Sequence, residues 1–168
     1  IIRVPGLSPT THPGYVMHDD ELGWRYRPNT QARHSSAEFD VEIAINAQGF
    51  RGPDWPAVRD ARPLVLVLGD SLVFGWGVQE HESLCGLLRA QHAEWDVRGA
   101  GISGYAPDQQ LLLLRRLCAE QHPDVVVCVS TANDAYETVN DVMYGLRKPR
   151  FVLDGTTARL ITTAGPEG

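Results

Sequence analysis

A run of six residues, Pro63-Leu64-Val65-Leu66-Val67-Leu68, constrains this chain more than any other segment. A strand that is apolar without alternation must be buried on both faces, which points to a parallel sheet covered by helices above and below. A glycine-rich loop, Gly69 to Gly77, follows it. The pattern then predicts a helix over about 80–92 with Leu84, Leu87 and Leu88 on one face. A short strand is expected around Trp95–Arg98, then a second glycine loop from Gly99 to Tyr105. Pro107 suits the first position of a helix over about 107–121 that would bury Leu111, Leu114, Leu117 and Cys118. Pro123 to Ser130 reads as a third buried strand, and a further helix should begin near Asp134. Strands alternating with helices in this way imply right-handed crossovers.

The flanking segments have a different texture. Residues 1–61 hold six of the eleven prolines and one clear alternating stretch, Phe39 to Ile45, expected as a half-buried strand. Asn46 to Gly52 is a turn, and Gly23 to Pro28 is the expected hairpin partner of that strand. Residues 62–149 form the α/β core, and residues 150–168 a hairpin and tail. The 43% hydrophobic and 21% charged content excludes wholesale disorder and repetitive fibres. A net charge of −6 without a basic run argues against nucleic acid and against a polybasic membrane patch. The three cysteines, Cys85, Cys118 and Cys128, lack the short spacing of a zinc site or a disulfide framework. No apolar stretch reaches the roughly 20 residues that span a bilayer. The opening residues do not read as a signal peptide but as an internal start, which leaves the compartment open, an extracytoplasmic one included.

Each expected parallel strand is followed by a chemically distinctive loop: Gly69-Asp70-Ser71, Ile102-Ser103-Gly104 and Asn133-Asp134. In open α/β sheets, ligands bind beyond the carboxyl ends of the strands where strand order reverses. If the first strand lies between the other two, a hydroxyl, a glycine amide and a carboxamide converge there. Those are the parts of an acyl-transfer site.

These three blocks, in this order, resemble those of the SGNH hydrolases, the GDSL esterase and lipase superfamily. The resemblance covers about residues 62–135, and Asp19 to Trp24 with Asn46 to Gly52 are similar to the leader that precedes the GDS strand in many bacterial members. It implies a three-layer flavodoxin-like fold and an ester hydrolase without metal or organic cofactor, acting on a small-molecule or carbohydrate ester. It also implies Ser71 as the nucleophile, with the backbone N–H groups of Ser71 and Gly104 and the Asn133 amide as oxyanion donors. Asp70, Trp76, Tyr105 and Tyr136 are candidate pocket residues; Asp70 and Asp134 read foremost as loop-holding or capping groups, and Arg51 as the partner of a carboxylate. An O-acyltransferase on carbohydrate and an inactive binding module are the alternatives.

Two features depart from the family pattern. Thr131 stands where the third block usually has glycine, and the chain contains no Asp-x-x-His, the block that supplies the family's base. His81, His92 and His122 fall at helix ends, and His12, His18 and His34 in the leader. Three parallel strands are also fewer than the five of a doubly wound sheet. The expectation is an incomplete core, with an exposed apolar edge beside the third strand or a second chain covering it.

Overall fold

The computed structural model describes residues 14–162. Two antiparallel hairpins come first. β1 (Val16–Asp19) pairs with β2 (Gly23–Tyr26), and β3 (Thr30–Ser35) pairs with β4 (Asp40–Ile45). The alternation seen in the sequence is real: Val41, Ile43 and Ile45 of β4 are buried while their neighbours are exposed. Its partner differs from the expected one. The segment at Gly23 is taken by β1, and β4 pairs instead with Thr30–Ser35, a polar strand with no apolar period to betray it.

The central sheet holds β5 (Leu64–Gly69), then β6 (Asp96–Gly101) and β7 (Val125–Cys128), all parallel, in the order β6-β5-β7. The first strand therefore lies between the second and third. Between β5 and β6 come α1 (Ser71–Phe74), a 3-10 turn at Glu80–Glu82 and α2 (Leu84–Gln91). The single helix expected there is broken because Ser83 caps α2, its hydroxyl accepting from the Gly86 N–H at 3.1 Å. α2 buries Cys85 and Gly86, whereas Leu84 and Leu87 face solvent, contrary to the expected apolar face. β6 continues through Gly99 to Gly101, residues expected in a loop. Gly101 makes this possible, since a Cβ there would lie 2.3 Å from the Phe74 nitrogen where α1 crosses the strand end.

α3 (Pro107–Gln121) has the predicted bounds and buries Leu112, Leu113 and Leu117, but leaves Leu111 exposed. α4 (Asp134–Val139) follows β7. A small hairpin, β8 (Val142–Met143) with β9 (Leu146–Arg147), was not anticipated, whereas the hairpin of β10 (Arg150–Asp154) with β11 (Thr157–Ile161) was. β7 departs most from expectation. Val125, Val126 and Val127 are 36–48% exposed and Cys128 is exposed too, so the third strand is an uncovered edge rather than a buried one.

One hydrophobic cluster joins leader and sheet. Leu22, Trp24 and Tyr26 of the first hairpin and Ile43 and Ile45 of β4 pack with Leu66, Leu68, Phe74 and Ile102. Lys148, buried, pairs with buried Asp108 at the start of α3 and donates to the Pro149 carbonyl at 3.0 Å. That ion pair ties the segment after β9 to the start of α3.

Candidate functional site

At the carboxyl edge of the sheet, Asp70 ends β5 and caps α1. It is 2% exposed, and its Oδ1 accepts from the Leu72 N–H at 2.9 Å. Its other oxygen, Oδ2, faces the loop after β7, with the Thr131 hydroxyl at 3.1 Å and Asn133 Nδ2 at 3.4 Å. One buried carboxylate thus holds the first and third sequence blocks together. Thr131 Oγ1 also lies close to Asn133 Oδ1, and its single proton serves one acceptor at a time. Asp134 braces the same loop by accepting from the Thr131 N–H at 2.8 Å. Asp70 thus caps α1 and Asp134 holds the loop after β7, while Ser71 is partly exposed and Asn133 exposed.

The second block is held from the leader. The Ser103 N–H donates to the Tyr26 hydroxyl at 2.8 Å, and Trp24 Nε1 donates to the Ser103 carbonyl at 3.3 Å. Gly104 follows with φ of 80°, in the left-handed region, and a Cβ there would meet the Tyr144 ring at 2.5 Å. Among the described residues, no acceptor is paired with the N–H of Ser71 or of Gly104.

Tyr105 does not line an opening. It is fully buried, its hydroxyl donates to the Trp24 carbonyl, and its ring stands edge-on to Trp24 with centroids 5.5 Å apart. Trp76 is half-buried between His34 and Phe39, and its backbone N–H donates to the Ser71 carbonyl at 3.0 Å. Tyr136 is 65% exposed on α4. Among the described residues Arg51 binds no carboxylate: its guanidinium donates to the carbonyls of Glu42, Phe74, Gly75 and Val78, clamping the loop that follows α1 onto β4. A buried guanidinium among carbonyls has its pKa lowered, mainly by burial.

No family model matches this chain, and neither does any curated protein. Among solved structures, a mutant of the esterase AlinE4 is similar with a TM-score of 0.42 and 22% identity, over 48% of this chain and 46% of that one. The match thus spans less than half the length of that esterase.

None of the described histidines is hydrogen-bonded to Ser71. His18 pairs with Asp20 at 3.0 Å and His92 with Glu94 at 3.0 Å; His34 packs on Trp76, and His81 and His122 are exposed. No group of three or more His, Cys, Asp or Glu among the described residues could hold a metal ion, and no helix among them is long and apolar enough to cross a membrane. A cavity of about 210 Å³ between β2, the Gln48–Phe50 turn and α3 includes none of the candidate residues.

Two residues near the site escaped the sequence reading. Glu137, 3% exposed on α4, accepts from the Tyr144 hydroxyl at 3.1 Å. Burial raises its pKa, with Asp70 and Asp134 adding to the rise, while the facing Asn133 and Tyr144 side chains oppose it. The Tyr144-Gly145 pair could have signalled a two-residue hairpin loop, though a tyrosine is an unusual first residue there.

Proposed function

We propose that this chain carries the nucleophile and oxyanion half of an SGNH-type serine ester hydrolase on a flavodoxin-like three-layer core. The supporting observation is the Asp70 carboxylate, which bonds the Leu72 N–H beside Ser71 and faces the Thr131 hydroxyl and the Asn133 amide. It brings a partly exposed serine hydroxyl and an exposed carboxamide to one sheet edge, with Gly104 on the adjacent strand's loop.

In this scheme Ser71 Oγ attacks an ester carbonyl carbon, and the carbonyl electron pair moves onto oxygen. The N–H groups of Ser71 and Gly104 and the Asn133 amide take up that charge. Collapse expels the alcohol and leaves an acyl-serine, which water then cleaves. The serine proton passes to a base and on to the leaving alcohol. We assign that base to polypeptide outside the described residues, seated against the uncovered edge of β7, where four consecutive side chains face solvent. The substrate is a small-molecule or carbohydrate ester, and the scheme uses no cofactor.

Turnover of p-nitrophenyl acetate tests this, with imidazole added as a diffusible base and Ser71→Ala as control. The expected result is imidazole-stimulated hydrolysis above the background that Ser71→Ala shows. Equal rates for the two proteins would leave a binding module that keeps the pocket without the reaction.

A further inference from the structure

The turn between β8 and β9 is closed by Tyr144 and Gly145, with φ of 53° and 82°. Positive φ at both central positions is the requirement of a type I′ turn, which favours Asn, Asp or Gly at the first. A bulky side chain there is strained and persists only where the surroundings impose it.

Two contacts impose it here. The Tyr144 ring lies against Gly104, so closely that a Cβ on the glycine would come within 2.5 Å of Cε2. The Tyr144 hydroxyl donates to Glu137 Oε1 at 3.1 Å. Glu137 belongs to the first turn of α4, and its N–H donates to the Asn133 carbonyl at 2.9 Å. A continuous path therefore runs from Gly104 through the Tyr144 ring and hydroxyl to Glu137 and Asn133. It joins the loop after β6 to the loop after β7.

We infer that Tyr144 and Glu137 are positioning residues that hold the Gly104 amide and the Asn133 carboxamide in register as a pair of oxyanion donors, an inference that rests on the reading of this edge as an acyl-transfer site. Neither needs to touch substrate. The ring fixes where the Gly104 N–H lies, Glu137 anchors the first turn of α4 and with it the Asn133 backbone that carries the amide, and the hydroxyl makes the two placements interdependent. Strain at a tyrosine on a hairpin tip has no role in the sheet itself, because β8 and β9 pair only with each other.

Two arms test this. Tyr144→Phe keeps the ring against Gly104 and deletes the bond to Glu137; Glu137→Gln keeps an acceptor for the hydroxyl, and Glu137→Ala removes it. In the first arm, amide NMR of the folded chain reads the coupling without needing an active serine. Tyr144→Phe and Glu137→Ala should shift both the Gly104 N–H and the Asn133 side-chain resonances, Glu137→Gln much less, with resonances of β4 unchanged in all three. In the second, fluorophosphonate labelling of Ser71 with added imidazole should slow about 10-fold in Tyr144→Phe and Glu137→Ala, a fraction of the loss from deleting a donor outright. Glu137→Gln should recover most of that rate, and the effect should fall on the rate at saturation rather than on the concentration needed for half of it. Gly104 and Asn133 resonances that stay in place would overturn the inference. So would labelling of Tyr144→Phe and Glu137→Ala at the wild-type rate. Wild-type protein that resists labelling while both resonances move together would overturn the serine reading and uphold the coupling.

Discussion

Asp70 commits both carboxylate oxygens, one to the turn that presents Ser71 and one to the loop that presents Asn133. Residue-by-residue predictions follow from that division of labour. Asn133→Ala should lower imidazole-assisted turnover by about 10²–10³, the usual cost of an oxyanion donor, while leaving the unfolding midpoint almost unmoved because the side chain is exposed. Gly104→Ala should behave differently. It forces a Cβ into positive φ and into the Tyr144 ring, so urea unfolding should register a loss of about 1–3 kcal/mol together with lost turnover. Arg51→Ala would strip four carbonyl acceptors of their shared donor, and chemical denaturation should show a loss of about 3 kcal/mol. Ser71, Gly104 and Asn133 stand out in the sequence as a candidate set because each follows a strand. Tyr144 and Glu137 do not, because their importance comes from a hairpin placed over a neighbouring loop, which leaves no periodic mark.

At the scale of elements, apolar runs located strands well but could not say what covers them. β5 and β7 are both unbroken apolar runs, Leu-Val-Leu-Val-Leu before Gly69 against Val-Val-Val-Cys, yet β5 is buried throughout and β7 is exposed throughout. Edge position alone does not decide this, since β6 also has a single hydrogen-bonded neighbour and is buried throughout; α1 and α2 pack on β6. α3 was placed correctly because Pro107 marks its first turn, whereas the helix before β6 was drawn too long because Ser83 acts as a cap in mid-segment. β3 was missed since Thr30 to Ser35 has no apolar alternation of its own. A strand edge this open favours association. Val126→Lys should therefore change unfolding free energy by less than about 0.5 kcal/mol while raising the concentration at which light scattering first detects aggregates. A loss of several kcal/mol would mean that the strand is covered in solution.

For the whole molecule, leader and sheet share one core, so the residues that carry the site are braced by segments more than 70 positions away in the chain, such as Tyr26 against Ser103. Two buried or half-buried carboxylates then give stability a dependence on pH from both sides. Burial pushes the Asp19 carboxyl up, but bonds from Arg116 and from the Leu22 and Glu21 N–H groups outweigh it and hold the pKa below the usual 3.8. Its contribution is present above that value and fades as pH falls through the lowered one. Glu137 works in the opposite sense. Its pKa is raised above 4.5, chiefly by burial, so its contribution is complete below 4.5 and is lost as pH rises through the raised value. Thermal unfolding of wild type against Glu137→Gln across mildly acidic to neutral pH should converge at the acid end and diverge upward, with the variant the more stable at neutral pH. Parallel curves would place the Glu137 carboxyl in solvent. The central claim, that Ser71 is a nucleophile set beside working oxyanion donors, is tested most directly by mass-mapping the product of a fluorophosphonate reaction in the presence of imidazole. The account predicts one adduct, located on the peptide that carries Ser71 and absent from Ser71→Ala; no adduct, or one that survives that substitution, would contradict it.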